Sequence, residues 1–367
     1  MRAEETRPTA FVLLGIGFGG DSWHARWRNG QIIGLNEPYA YGYHHAEDHG
    51  FRVVYSQDRP EGPLSRLVRM GWRALLGFDI VHPWRNREAF FNSNVVWTHT
   101  EYQGLAAVTL CLLFPRRRRP RLILQSVWLI DRWETLGPLR RRFFRYLLQR
   151  GDILSFHSPA NTERARAVFP NSRCELILFG INADDPKPPA DPSSAVPVRL
   201  LAPGSDRHRD WRTLIEAVRG MANFELRIVS RTCDPRLLAG VDNVRIERPA
   251  DNAELTALYQ QASAVVVPLV ENMHASGITV IEEATQMGRP VIATQVGGLE
   301  AYFGPDCLTY VPPRDVDALR QAIARLITEP HAAHDQVVAA QRRMREGGIS
   351  SRDYARQHAE WSRELLA

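Results

Sequence analysis

The chain has 367 residues, 44% of them hydrophobic and 24% charged, with a net charge of +5. That length suits about two domains, and the composition excludes a disordered, fibrous or membrane-embedded chain. All but one of the 46 Lys and Arg residues are arginine, the exception being Lys187, so the mild basicity reflects residue usage more than a nucleic-acid partner.

In chain order, the first apolar run, residues 10–14, is too short for a signal core or a membrane span and reads as a buried strand. Further strands are predicted at 52–55, 95–98, 122–125, 153–156 and 176–179, with helices between them, among them 138–149 and 160–168. Short apolar runs alternating with helix-period segments are the pattern of a parallel α/β sheet. The first domain therefore spans 1–182. Residues 183–197 are proline-rich and aperiodic, and read as a linker. The alternation restarts in a second domain, 198–345. Its strands are predicted at 199–202, 225–230, 243–246, 264–268, 291–294 and 307–311. Its helices are predicted at 211–221, 252–261, 279–287 and 316–328. Residues 346–367 read as a helix packing back toward the first domain. Cys111, Cys174, Cys233 and Cys307 lie far apart with no C-x-x-C, and read as free thiols of a reducing cytosol. No H-E-x-x-H or Cys/His cluster implies a metal.

Doubly wound sheets bind ligands beyond the carboxyl ends of their strands. One such end is "SAVVVPLVENMHASGITVIEEATQMGRPVIATQVGG". Ser276 and Gly277 stand where a helix begins, and its free N–H groups and positive dipole end suit an anion, commonly phosphate. Glu283 is deep in that helix, where a carboxylate can accept from a diol such as ribose. A plain helix cap and a surface glutamate fit the same residue types.

The stretch "ASGITVIEEATQMGRPVIATQVGG" resembles the donor-binding segment of the GT-B glycosyltransferases, specifically the family-four, nucleotide-sugar-dependent group. "SPANTERARAVFPNSRCELILFGIN" and "ALYQQASAVVVP" extend the resemblance, while the first hundred residues match loosely. The resemblance implies an α/β GT-B fold, two Rossmann-like doubly wound domains facing a cleft. It implies a hexosyltransferase that moves a sugar from a nucleotide diphosphate sugar to an acceptor hydroxyl, with retention and with no cofactor or metal. Ser276, Gly277 and Thr279 would bind the diphosphate, and Glu283 the ribose. Glu271 would sit near the sugar hydroxyls. Its interval to Glu283 is longer than in many relatives, so Asn272 or His274 can take its place.

After the first strand of the second domain, "LLAPGSDRHRDW" offers Arg207 and Arg209 for the diphosphate, and the pattern leaves open which of them points inward. Gly19 and Gly20 of "LLGIGFGGDSW" would approach the donor phosphates. Gly15, Gly17 and Gly20 have the spacing G-x-G-x-x-G, but "DSWHARWRNG" after them is polar and shows no apolar strand-to-helix transition, so the turn is not read as a dinucleotide motif. On the acceptor side, His99, Thr100 and Glu101 end one strand, and Gln125, Ser126, Trp128 and Asp131 follow the next. Many relatives carry a histidine where this chain has Ser126 or Trp128. Catalytic candidates are therefore His99, Glu101, Asp131 and Glu271. An inverting reaction would use Asp131 or Glu101 as base.

Leu64, Leu67, Val68, Trp72, Leu75 and Leu76 share one helical face, with Arg66, Arg69 and Arg73 opposite. The arginines of "FPRRRRPR", at Arg116–Arg119, and of "LRRRFFRYLLQR", at Arg140–Arg145, add charge. Together with apolar insertion by Leu67, Trp72, Phe143 and Phe144, they predict a peripheral association with an anionic membrane from the cytoplasmic side, and a lipid-linked or small-molecule acceptor. Two other readings are a nucleotide-sugar epimerase of the same fold and a basic nucleic-acid-binding protein. No aromatic-basic stacking pattern supports the latter.

Overall fold

The computed structural model describes residues 7–114, 119–190 and 197–367. They form two compact units: Met1–Asn29, Glu37–Leu178 and Ser351–Ala367 in the first, Gly30–Asn36 and Phe179–Ser350 in the second.

The first unit is built on a six-stranded parallel sheet in the order β2-β1-β3-β4-β5-β6. Its strands are β1 (Thr9–Leu13), β2 (Arg52–Tyr55), β3 (Val95–Thr98), β4 (Arg121–Ser126), β5 (Ile153–Phe156) and β6 (Cys174–Leu176). β3 and β5 are buried along their whole length, which is why they read as unbroken apolar runs. The helices are α1 (Gly20–Arg28), α2 (Pro63–Leu76), α3 (Val81–Arg85), α4 (Arg87–Asn92), α5 (Glu101–Leu113), α6 (Pro138–Leu148) and α7 (Pro159–Val168). Thr100 and Gln103 close a capping box on α5. The polar stretch after the glycine turn is helical, as α1, against the expectation from its composition. Only Gly20 and Trp23 of α1 are buried, so its apolar stripe is too narrow to show in the sequence.

The second unit repeats the plan, in the order β12-β11-β10-β7-β8-β9, all parallel. Its strands are β7 (Val198–Pro203), β8 (Phe224–Val229), β9 (Val244–Glu247), β10 (Ala264–Val267), β11 (Val291–Thr294) and β12 (Thr309–Val311). Its helices are α8 (Trp211–Val218), α9 (Asn252–Gln261), α10 (Ile278–Gln286), α11 (Val316–Thr328) and α12 (Pro330–Glu346). Part of the expected linker runs along this unit: the Lys187 and Ala190 N–H groups donate to the Gln286 and Gly288 carbonyls. The last helix, α13 (Ser351–Leu366), belongs to the first unit, where the Trp97 indole donates to Ser362 at 2.9 Å.

Each strand order reverses once, between β1 and β3 and between β7 and β10. Two crevices for ligands result, one at each switch point. All four cysteines are buried and free. Among the described residues no helix is long and apolar enough to cross a membrane.

Candidate functional site

In the second unit the loops after β7 and β10 are laced together beyond the switch point. Val270 donates to the His208 carbonyl and Asp210 to the Pro268 carbonyl, at 2.9 and 3.0 Å. This lacing resolves the arginine pair. Arg207 faces solvent, whereas Arg209 is buried, at 8% exposure. Two glycines make room for the Arg209 guanidinium. A Cβ on Gly204 would stand 2.1 Å from its Nε, and one on Gly277 would stand 2.7 Å from its Nη1. Both glycines have left-handed backbone, with φ of +145° and +86°. Nε and Nη1 have no acceptor. Burial, opposed by nearby Asp206, pulls the guanidinium down to about 10. Gly277 is also the N-cap of α10, so a buried cation and the positive end of a helix converge on one spot.

Asp206 orders the opposite wall. Burial pushes its carboxyl up, but hydrogen bonds from His274, the His208 backbone, Ser276 and the His208 ring outweigh that and hold it far below the usual carboxylate range. Ser276 Oγ donates to Asp206 Oδ2 at 2.8 Å, and His208 Nδ1 lies 2.9 Å from Oδ1. His274 is buried, 3.6 Å from Asp206 and edge-on to the His208 ring. Asn272 Oδ1 accepts the Ser276 N–H at 3.1 Å and so shapes the turn. Thr279 and Glu271 are exposed, and Glu271 pairs with Arg314 at 3.1 Å.

Glu283 lies inside the unit with both oxygens engaged. Oε2 accepts from the Tyr259 hydroxyl at 2.8 Å, and Oε1 from the Leu35 N–H at 3.0 Å. Leu35 belongs to the strap Gly30–Asn36, where Gly34 also donates to Asn252 at 3.0 Å. Burial raises the Glu283 carboxyl, and its two donors oppose that rise. The adjacent Glu282 is fully buried with both oxygens unpartnered, and burial, then the Glu283 charge, drives it well above the usual range.

In the first unit the glycine turn is organised by a residue with no signal in the sequence. Asp58 accepts the Gly17 N–H at 3.1 Å from each oxygen, the Gly19 N–H at 3.2 Å and the Ser22 hydroxyl at 2.5 Å. Gly20 donates to the Ser56 carbonyl at 2.9 Å. The N–H groups of Gly19 and Gly20 thus point at internal acceptors.

At the end of β3, His99 sits in a buried polar network. Its Nδ1 lies 3.1 Å from the Tyr43 hydroxyl, and its ring stacks on Tyr41 with centroids 3.5 Å apart. Gln125 donates to the His99 carbonyl at 3.0 Å, lies 2.6 Å from His157 Nε2 and accepts from the Tyr354 hydroxyl. Burial first, then His157 and His358, keep the His99 ring well below its ordinary value. Glu101 is buried, and its Oε2 accepts the N–H groups of Val127 and Trp128 at 3.0 and 3.3 Å. Ser126 Oγ is buried and unpartnered, Asp131 is half-buried, and Trp128 is partly exposed. The fold also gathers Glu37, His44 and His45, whose ligand atoms lie within 4.8 Å of one another although the chain shows no metal motif.

The membrane face is partly revised. Arg116 to Arg118 lie outside the described residues. Phe144 is buried and Phe143 half-buried, packed on Phe78 at centroid distances of 6.3 Å each, so these rings fill core and are not free to insert. By contrast, α2 buries no side chain. Leu64, Leu67 and Leu75 are 74%, 68% and 70% exposed.

Residues 199–329 match the family model described as glycosyl transferases, group 1. A search of curated proteins finds no match. Among solved structures, the chain is similar to sucrose-phosphate synthase from Thermosynechococcus elongatus, with TM-score 0.73 and 19% identity, covering 98% of this chain and 99% of that one. It is similar to a UDP-forming trehalose-phosphate synthase from Burkholderia xenovorans, with TM-score 0.66 and 10% identity over 99% and 100% of the two chains. It is also similar to Anabaena HepE in complex with UDP and glucose, with TM-score 0.64 and 14% identity over 95% and 98%. The fold of the chain is that of the GT-B glycosyltransferases, and the match to the group 1 family model lies within its second unit.

Proposed function

We propose that the protein is a glycosyltransferase that takes a nucleotide diphosphate sugar in its second unit and an acceptor hydroxyl in its first. The observation that carries this reading is Arg209, a buried guanidinium with two unsatisfied nitrogens beside the N-terminus of α10. A cation so placed calls for an anion, and a diphosphate leaving group gains charge as the glycosidic bond breaks. Gly277 and the first turn of α10 supply N–H donors, with Ser276 and His274 ordered by Asp206. Arginine and helix dipole then meet the charge that a metal meets elsewhere, and no cofactor is needed. The solved relatives fit this reading, since HepE is seen with UDP and glucose and the trehalose-phosphate synthase is UDP-forming.

Retention is the favoured stereochemistry. The sugar passes to the acceptor oxygen, the nucleoside diphosphate departs, and a donor phosphate oxygen takes the hydroxyl proton. Glu101 is a poor base because two backbone N–H groups hold its carboxylate. An acceptor on a membrane fits the exposed leucines of α2, and an anionic cytoplasmic surface fits the arginines beside them. The four free thiols suit a reducing compartment.

The test is consumption of nucleotide sugars by the purified protein with and without candidate acceptors, with the product's anomeric configuration read by NMR. Nucleoside diphosphate release that requires an acceptor supports the reading. Conversion of the nucleotide sugar without an acceptor points instead to epimerisation.

A further inference from the structure

The first unit contains a cavity of about 310 Å³. Leu13 at the end of β1 and the turn after it, to Ile16, line one side, and α2, α3 and the start of α5 line the rest. Its polar lining is Arg69, Arg73, Asp79, His82, Tyr102 and Gln103.

Most of that lining is already engaged. Arg69 grips Glu61 with 3.1 Å to each oxygen and lies 3.6 Å from Asp79. Asp79 also accepts the N–H groups of Val81 and His82 at 2.8 and 3.2 Å. Gln103 closes the capping box of α5. Two groups stand apart. Arg73 follows Arg69 by one turn on the same face of α2, and among the described residues no ion pair joins it to a carboxylate. His82 is 5% exposed, and its Nε2 has no hydrogen-bond partner.

These two groups ask for different chemistry. Burial holds His82 below its ordinary value, against the nearby Asp58 and Asp79 charges and the Leu14 backbone, so the ring is neutral at pH 7. A neutral ring that donates through one nitrogen offers the other as an acceptor for a hydroxyl proton. Leaving a buried acceptor unmet is costly, and a ligand hydroxyl relieves that cost. Arg73 presents a planar fork that suits a phosphate. With Arg69 held by Glu61 and Asp79, the charge of Arg73 is left over, and that disfavours a cation. The volume suits a small sugar derivative.

We infer that this cavity binds a phosphorylated molecule that also carries hydroxyl groups, with the phosphate on Arg73 and a hydroxyl on His82 Nε2. Where the glycosyltransferase reading holds, that molecule is the acceptor. Free sugar phosphates and phospholipid head groups share this chemistry, and the experiment separates them.

Calorimetric titration of the full chain with a hexose 6-phosphate, the parent hexose and inorganic phosphate reads the soluble arm. Cosedimentation with anionic phospholipid vesicles or phosphatidylcholine vesicles reads the lipid arm. The hexose phosphate, or the anionic vesicle, should bind more tightly than its control. Arg73→Ala should weaken that binding about tenfold, whereas Arg66→Ala, on the same helix outside the cavity, should leave hexose phosphate binding unchanged. His82→Ala should weaken the hexose phosphate about tenfold and inorganic phosphate hardly at all, with melting used to confirm folding. Arg73 is exposed, so its variant remains informative if the histidine variant does not fold. Equal effects of Arg66→Ala and Arg73→Ala, or no binding in either arm, overturn the inference. Binding that follows this pattern in a protein that consumes no nucleotide sugar keeps the cavity and removes the glycosyltransferase reading.

Discussion

Arg209→Met should make the ligand-free protein more stable and deny it stabilisation by nucleotide. The Arg209 guanidinium is buried with two nitrogens unsatisfied, and burial, against the help of Asp206, takes it from its ordinary value down to about 10. At about 1.4 kcal/mol per pH unit, that is a penalty of about 3 kcal/mol on the charged form. For a cation held below its unfolded value, the penalty is full below about pH 10 and fades as pH rises through the folded value toward the unfolded one. At neutral pH it is therefore present in full. Methionine has similar reach and no charge, so the variant should gain about 1–3 kcal/mol, the lower figure allowing for imperfect packing. For a unit of this size that raises Tm by roughly 2–10 °C. A nucleoside diphosphate at a hundredfold excess over its Kd should stabilise the unmodified protein by about 2.7 kcal/mol, and the variant should lose most of this. Scanning calorimetry with and without nucleoside diphosphate measures both effects. A variant that melts lower when empty, yet keeps its full ligand response, would refute the reasoning and make Arg209 a structural ion.

Glu282→Met should also stabilise the protein, by about 1–3 kcal/mol at pH 8, because the buried carboxyl has no partner. Its folded value lies above its unfolded one, so the ionisation part of the cost grows as pH rises from about 4, and urea midpoints at pH 4 and 8 should show the larger gain at the higher pH. Asp58→Ala should cost about 1–3 kcal/mol and speed hydrogen exchange at Gly17 and Gly19, which NMR can follow; unchanged exchange would mean that water or the backbone serves those donors equally well. The unmodified protein should float with anionic vesicles at low salt and release between low and physiological salt, with Leu67→Ser/Leu75→Ser binding about tenfold more weakly. Equal flotation of that variant would place the contact elsewhere.

What could be read from the chain follows from what its signals are made of. Val95–Thr98 and Ile153–Phe156 are buried on both faces, so their apolar runs mark the strands outright. The turn at Ser276 and Gly277 is also local, written in adjacent residues. Arg207 and Arg209 differ only in which side of a laced loop they occupy, and that depends on Val270 and Pro268, about sixty residues away. Asp58, Asp206 and Tyr259 are equally illegible, because each earns its role from a partner distant in sequence. Phe143 and Phe144 misled because an aromatic pair beside arginines looks the same whether it faces lipid or packs on Phe78.

The strap Gly30–Asn36 has a kinetic meaning as well. A ribose recruited to Glu283 meets a carboxylate whose oxygens already hold the Leu35 N–H and the Tyr259 hydroxyl. The Leu35 group is an intramolecular competitor whose effective concentration the tether sets, in the millimolar range for short flexible chains. With Glu283 as the ribose partner of the proposed donor site, apparent nucleotide affinity would be discounted by the fraction of time the strap is seated. That discount falls on substrate and spent nucleotide alike, so the strap, by reclaiming Glu283 as the diphosphate departs, would shorten the residence of product and keep the donor site available for the next turnover.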